Sequence, residues 1–260
     1  MDIAALAGIG LAFAAIFASM ILEGGNPMGI VLIPAIVLVL GGTIGASMAG
    51  GLLKDTTGII VWLRKAFTAK ITPPDAAIAI LVSLAERARR EGLLALEDAA
   101  RGVADPFLRR GLELAVDGTD PDELREILEA EIGAKRTADR AGAKVFADMG
   151  GYAPTIGIIG TVLGLVHVLE NLSQPAELGH LIASAFVATL WGVMTANVMW
   201  LPLSNRIRRI SEVELAGMEL VVEGILAIQA GSNPRVVAQK LRSLLPPSSR
   251  DQPAKQAEAA

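Results

Sequence analysis

Four long stretches without a single Asp, Glu, Lys or Arg limit what this chain can fold into: Ile3 to Leu22, Gly24 to Leu53, Met149 to Leu169 and Leu178 to Asn205. Each is long enough to cross a bilayer, whose hydrocarbon core takes about 20 residues of helix. Helix is the expected form, because lipid offers unpaired backbone groups no partner. Of the 260 residues 52% are apolar and 19% charged, and the apolar ones are gathered in those blocks rather than spread along the chain. The first run has no basic region ahead of it, so it reads as a retained span rather than a cleaved signal peptide.

The basic residues set the orientation. Of 23 Lys and Arg, 15 lie between Lys54 and Lys144 and eight between Arg206 and Lys255, while the connections at Glu23 and between Glu170 and Glu177 hold none. By the positive-inside rule the central block, the tail and both termini are cytoplasmic. The two outward turns are then a few residues long and leave an extracellular ligand little to bind. The expected organisation is two spans in residues 1–53, a helical cytoplasmic domain in 54–148, two more spans in 149–205, a cytoplasmic helical tail in 206–247 and a disordered end in 248–260.

Within the cytoplasmic block, Ile78, Leu81, Val82 and Leu84 recur at helical spacing and no alternating pattern is sustained. Thr119-Asp120-Pro121-Asp122-Glu123 has the signature of a helix start: a capping side chain, a proline in the first turn and acids at the positive end of the dipole. A long helix is expected to run from there into the third span. Arg206 to Ala230 reads as a further helix, followed by a turn at Gly231-Ser232-Asn233-Pro234 and a short helix before Pro246. A net charge of −4 argues against a nucleic-acid binder, which needs a basic face for phosphates. With no cysteine and two histidines, disulfides, thiolate chemistry and a histidine-rich metal site are excluded.

Inside the four runs there is no carboxylate. A pump or proton relay keeps an ionisable group in the bilayer because it needs one there. The spans offer instead Thr155 and Thr161 on the third, and Ser184, Thr189, Thr195 and Asn197 on the fourth. These groups can line a wet path but do not relay a proton by themselves, so an ion-moving role requires a carboxylate from a partner. His167 and His180 read as interfacial. Gly157, Gly160 and Gly164 on the third span, with Ala183, Ala188, Gly192 and Ala196 on the fourth, allow close helix approach, either within the chain or against a partner. Pro154 and Pro202 stand near the cytoplasmic ends of the third and fourth spans, at what reads as one depth. Each alone marks a span terminus, and the pairing equally suits a hinge.

Four segments carry a family resemblance over nearly the whole chain: MDIAALAGIGLAF, ERARREGLLALE, GYAPTIGIIGTVLGLVHVL and ILAIQAGSNPRVVAQKLRSLLP. With the layout of two spans, a large loop and two spans, the chain resembles the MotA/PomA family of bacterial flagellar stator subunits, the PomA-like branch above all. The resemblance implies an all-α polytopic membrane protein with four transmembrane helices and a helical cytoplasmic domain, set in an oligomeric ring in the cytoplasmic (inner) membrane. It further implies a pentamer around a dimer of a single-span MotB/PomB-like partner, which supplies the ion-binding aspartate and a peptidoglycan-binding domain. The expected cargo is H+ or Na+, with no cofactor, and the expected output is force on the rotor protein FliG.

Carried over by position, the rotor-facing arginine falls on Arg89 and its acidic counterpart on Glu97, within Arg-x-x-Gly-x-x-x-Leu-Glu, and neighbouring Arg90 shares the role. Without the resemblance these are a solvated charge run. The coupling prolines fall on Pro154 and Pro202, and the ion-path threonines of sodium-type members on Thr161 and Thr189. Hydroxyl oxygens suit a partly dehydrated hard cation, so Thr161 leans toward sodium. One departure is the apolar sequence around Leu32, within GIVLIPAIV, where PomA-like chains carry an acid. The alternative within energised membrane machines is a TolQ/ExbB-like subunit, which does not need the rotor-facing pair. A transporter is expected to show intramembrane charges or broken half-helices, and an enzyme a nucleophile set beside a base; neither pattern stands out here.

Overall fold

The structure is a computed structural model, and it describes residues 4–69, 73–173 and 175–245. All regular elements among them are helical. The chain divides into two compact units, Met1–Lys70 with Ala138–Ile210, and Ile71–Thr137 with Ser211–Ala260. The tail expected to be disordered, 248–260, lies outside the described residues.

The first unit holds the apolar helices. Helix α1, Ala4–Leu22, buries none of its residues. It ends where Gly24 takes φ +80, with Gly24 and Gly25 amides donating to the Ile21 and Met20 carbonyls. This left-handed cap leaves no penalty only because glycine lacks a Cβ. The uncharged run from Gly24 to Leu53 is therefore not one helix: Asn26 caps a short 3-10 turn, Pro27–Ile30, and α2 occupies only Ile33–Gly50. Its 18 residues reach about 27 Å at 1.5 Å each, close to the thickness of a hydrocarbon core.

Two short helices follow, α3 (Leu53–Thr57) and α4 (Ile59–Thr68). Three contacts fasten α4. The Trp62 ring lies where a Gly142 Cβ would stand, 2.2 Å away; Lys65 pairs with the buried Asp139 at 2.8 Å; and Arg206 Nε donates to the Ala66 carbonyl at 2.5 Å. Helix α8 runs unbroken from Pro121 to Glu170. Helix α9 covers Pro175–Thr195 and continues through a π-helical turn, Ala196–Trp200, into α10, Leu201–Gln229. The core of the unit joins Ala143, Phe146, Met149 and Ala153 of α8 to Ala196, Trp200, Leu203 and Ile207. That spacing of three and four places them on one stripe.

The second unit contains α5 (Pro74–Glu91), a 3-10 turn at Leu93–Ala95, α6 (Leu96–Gly102), α7 (Pro106–Val116) and α11 (Pro234–Ser243), with the remaining stretches of α8 and α10. Leu81, Leu96, Leu112, Leu124, Leu128, Ile225 and Leu241 form its fully buried centre. Asp105 and Asn233 cap α7 and α11 by accepting from Phe107 and Arg235 amides. Asp120 accepts from the Asp122 amide at 2.9 Å, the helix start expected from the sequence. Around Glu223 the chain closes a three-way ion cluster: Arg125 of α8 at 2.8 Å and Lys240 of α11 at 2.6 Å. Burial pushes the Glu223 carboxyl up, but the hydrogen bonds from Lys240 and Arg125 outweigh it and hold it below the ordinary carboxylate range.

Candidate functional site

The seam between α8 and α9 is built from missing side chains. A Cβ on Gly157 would stand 2.8 Å from the Ala188 carbonyl, one on Gly192 2.5 Å from the Ala153 carbonyl, and one on Gly164 2.8 Å from Ala185 Cα. The two backbones therefore touch, and of the two uses open to these glycines the structure shows packing within the chain. Gly160 joins them against Ala188. Gly41 and Gly45 of α2 face open space, whereas Gly42 meets Ile156.

Thr161 and Thr189 meet at the centre of this seam. Their hydroxyls are in direct contact. Thr189 also donates to the Gly157 carbonyl at 3.1 Å, and Thr161 reaches the Ala185 carbonyl at 3.2 Å and that of Gly157 at 3.3 Å. Each hydroxyl has one proton, which these carbonyls and the partner hydroxyl take up, so what remains on the oxygens is lone-pair capacity. Chemically the pair is an acceptor site for a cation or a water, and it cannot exchange protons as a carboxylate does. Thr195 is buried and bonded to the Trp191 carbonyl at 2.7 Å, and Asn197 donates to Val193 at 2.9 Å; both close locally on their own helix.

Pro154 sits inside α8 without ending it. Pro202 stands two residues after the π-helical turn, where the Leu201 amide reaches back to the Ala196 carbonyl. A proline removes one donor from the helix ladder, and the wider π-turn lies just where that bond is missing. The shared depth read from the sequence is corrected by the antiparallel register. Ser204 donates to the Ala143 carbonyl and Leu201 packs on Gly150, which sets Pro202 opposite residues 143–150, while Pro154 stands beside the Gly192 contact. The prolines are about one to two turns apart along the seam.

Arg89 and Arg90 are exposed in the last turn of α5, and Glu97 is exposed in the first turn of α6. They do not share a helix face, because α5 stops at Glu91. Gly92, at φ +86 and ψ 165, turns the chain into the 3-10 segment before α6. Glu97 pairs with Arg101 at 2.7 Å, not with Arg89. The structure thus gathers basic and acidic groups on either side of one glycine corner. His167 stands 3.6 Å from Glu170 in the last turn of α8.

Several contacts escaped the sequence reading. The Trp191 indole donates to the Ile30 carbonyl at 2.6 Å and ties the turn before α2 to α9. Asp139, only 4% exposed, anchors α4 through Lys65. Ser204 bridges α10 to the Ala143 carbonyl. All three bring together residues more than sixty apart in sequence, and no local spacing marks such pairs; an acid within a helical pattern was the only hint of Asp139.

These features define a polytopic all-α membrane protein whose paired spans present hydroxyls and glycines but no acid. Comparisons with known proteins narrow the class. Residues 99–220 match the family model described as the MotA/TolQ/ExbB proton channel family. Motility protein A of Bacillus subtilis is 38% identical over 260 residues, covering 100% of this chain and 96% of that one. Chemotaxis protein PomA of Vibrio alginolyticus is 34% identical over 245 residues, covering 94% and 96%. Among solved structures, the C. jejuni MotAB superposes with a TM-score of 0.92 at 28% identity, covering 97% of this chain and 98% of that one. The flagellar MotAB stator complex from Bacillus subtilis gives 0.87 at 38% identity, covering 94% and 97%. The chain belongs to the MotA/TolQ/ExbB family, in its branch of motility protein A and PomA flagellar stator subunits, and it is an inner-membrane protein.

Proposed function

We propose that this chain is the ring-forming subunit of a flagellar stator that couples inward cation flow to torque. The observation that carries the reading is the Thr161–Thr189 seam: polar oxygens on two spans in which no residue between Met149 and Leu169 or between Leu178 and Asn205 is an acid. An ion path so built needs a carboxylate from elsewhere. A single-span MotB/PomB-like partner supplies it, with several copies of this chain, five by the family resemblance, around a partner dimer. Relatives solved as MotAB complexes support that assembly.

Both termini and the second unit face the cytoplasm, as the distribution of Lys and Arg requires. There the α5–α6 corner, with Arg89, Arg90 and Glu97, meets the rotor protein FliG. Exposed charges of this kind steer and register a contact more than they tighten it. Pro154 and Pro202 transmit the change, each at a point where the helix ladder is weakened. The cargo is H+ or Na+; the hydroxyl lone pairs at Thr161 and Thr189 lean toward Na+.

The matched family model also takes in TolQ and ExbB, so the competing reading is an energiser of a periplasm-spanning partner. End-to-end coverage by motility protein A relatives favours the stator. The decisive experiment is deletion of the gene followed by swimming speed measured against sodium at fixed pH, together with co-purification of the chain's partner. Loss of swimming on deletion, a speed that rises with sodium in cells that carry the gene, and recovery of a single-span protein with an aspartate in its span are expected. Normal swimming with failed outer-membrane uptake transfers the assignment to the TolQ/ExbB-like function, and sodium-independent swimming assigns the proton.

A further inference from the structure

We propose that Leu94 is the apolar anchor of the α5–α6 corner, a side chain that enters a socket on the rotor partner and displaces water from the charges around it. The proposal rests on the rotor contact argued above. Three leucines lie close together after Gly92, and the turn sorts them. In a 3-10 segment residues three apart eclipse one another, and neighbours stand about 120° round. Leu93 packs against the core of the second unit, and Leu96 is fully buried in it. Both therefore occupy the inner edge, and Leu94 between them is turned away. It is 75% exposed, more than any other large apolar side chain among the described residues of that unit.

The fold does not require a leucine at this place. A serine there would leave Leu93 and Leu96 where they are and would spare the cost of holding hydrocarbon in water. The surroundings say what covers it. Arg89 and Arg90 are exposed at the end of α5, and Glu97 and Asp98 at the start of α6, so Leu94 stands between a basic and an acidic flank. An apolar centre inside a charged rim is the anatomy of a protein interface, in which the rim keeps water from the central side chain. An anionic lipid surface would match the basic flank and repel the acidic one. The occupant is therefore a protein surface with an apolar socket, acids facing Arg89 and Arg90 and a base facing Glu97. Exposed charges alone steer such a contact. With water displaced by Leu94, each pair acts in a lower dielectric and holds more firmly.

The test is binding of the full chain, purified as its native membrane complex in lipid nanodiscs, to purified FliG at a low and a high salt concentration. Leu94→Ser is expected to raise Kd about tenfold, the order of effect of losing one buried leucine, and by the same factor at both salts. Leu94→Met is expected to stay near wild type, because it restores hydrocarbon of similar volume. Arg89→Glu is expected to weaken binding by a factor that shrinks as salt screens it. The thermal midpoint of Leu94→Ser is expected to equal that of wild type. Wild-type affinity in Leu94→Ser overturns the anchor while the rotor contact stands. So does a loss that shrinks with salt, a loss shared by Leu94→Met, or a fall in the thermal midpoint. No binding by wild type at either salt overturns the rotor contact and the anchor together. A smaller oligomer for Leu94→Ser in light scattering assigns the residue to a contact between copies and overturns the proposal as well.

Discussion

At the scale of single residues, the least forgiving positions are those where one helix backbone rests on another. A side chain at Gly192 meets a carbonyl 2.5 Å away, and a carbonyl cannot rotate aside as a flexible side chain does. Overfilling a packed core ordinarily costs about 1–3 kcal/mol, and here the seam itself must part. Gly192→Val is expected to lower the amount of assembled protein in membranes several-fold, read by immunoblot after detergent extraction. Gly41→Ala, facing open space, is expected to leave that amount unchanged.

Glu223 is a different kind of critical residue, because its contribution depends on pH. Its folded pKa lies below the ordinary carboxylate value of 4.5, so the charged form is favoured by folding. The resulting stability is complete above that ordinary value and disappears as pH falls through the lowered one. The surrounding side chains are partly exposed, 40% for Arg125 and 47% for Lys240, which keeps the magnitude near the upper end for surface pairs, about 1 kcal/mol. Glu223→Gln is expected to lower the thermal midpoint at pH 7, with the gap to wild type shrinking toward pH 3. A gap independent of pH would show that the ion cluster contributes nothing of its own.

At the scale of elements, the corner after α5 depends on one backbone conformation. Gly92 occupies φ +86 and ψ 165, a region essentially confined to glycine and costing other residues about 1–3 kcal/mol. Gly92→Ala is expected to swing α6 relative to Arg89 and Arg90 and to reduce swimming speed, while membrane insertion and thermal stability of the remainder change little. Unaltered motility would detach the corner from function.

Helices were the most legible part of the sequence. The stripe through Leu81 and Leu84, the Asp120 cap and the Asn233 turn all stand where spacing and capping chemistry put them. Element ends inside the apolar runs were less legible. Uncharged sequence carries no boundary signal of its own, so the run from Gly24 to Leu53 concealed an 18-residue helix behind a capped turn. The π-helical insertion at Ala196–Trp200 left no mark beyond the nearby proline. Of the candidate site, the threonine pair and the glycine seam were visible as residue types. Their contact was not, because register between α8 and α9 is set by packing across a hairpin rather than by local pattern. The same register separates Pro154 from Pro202.

For the molecule as a whole, the proposed torque depends on charges that no fold needs. Arg89→Glu combined with Glu97→Arg is expected to abolish or strongly impair swimming while the protein still assembles in the membrane, because both side chains are exposed and neither belongs to a buried core. Glu97→Arg alone also loses the pair with Arg101, so that control separates local repulsion from a lost rotor contact. Full swimming by the double variant would remove this corner from the rotor interface.

The indole of Trp191 holds the Ile30 carbonyl at 2.6 Å, across a place where hydrocarbon offers no substitute partner. The turn at Pro27–Ile30 is thereby leashed to α9 and has to follow it. Met28, on that turn and 70% exposed, is therefore a natural seat for a dye: its emission would register each twist of α9 from a position that leaves the helix itself unaltered.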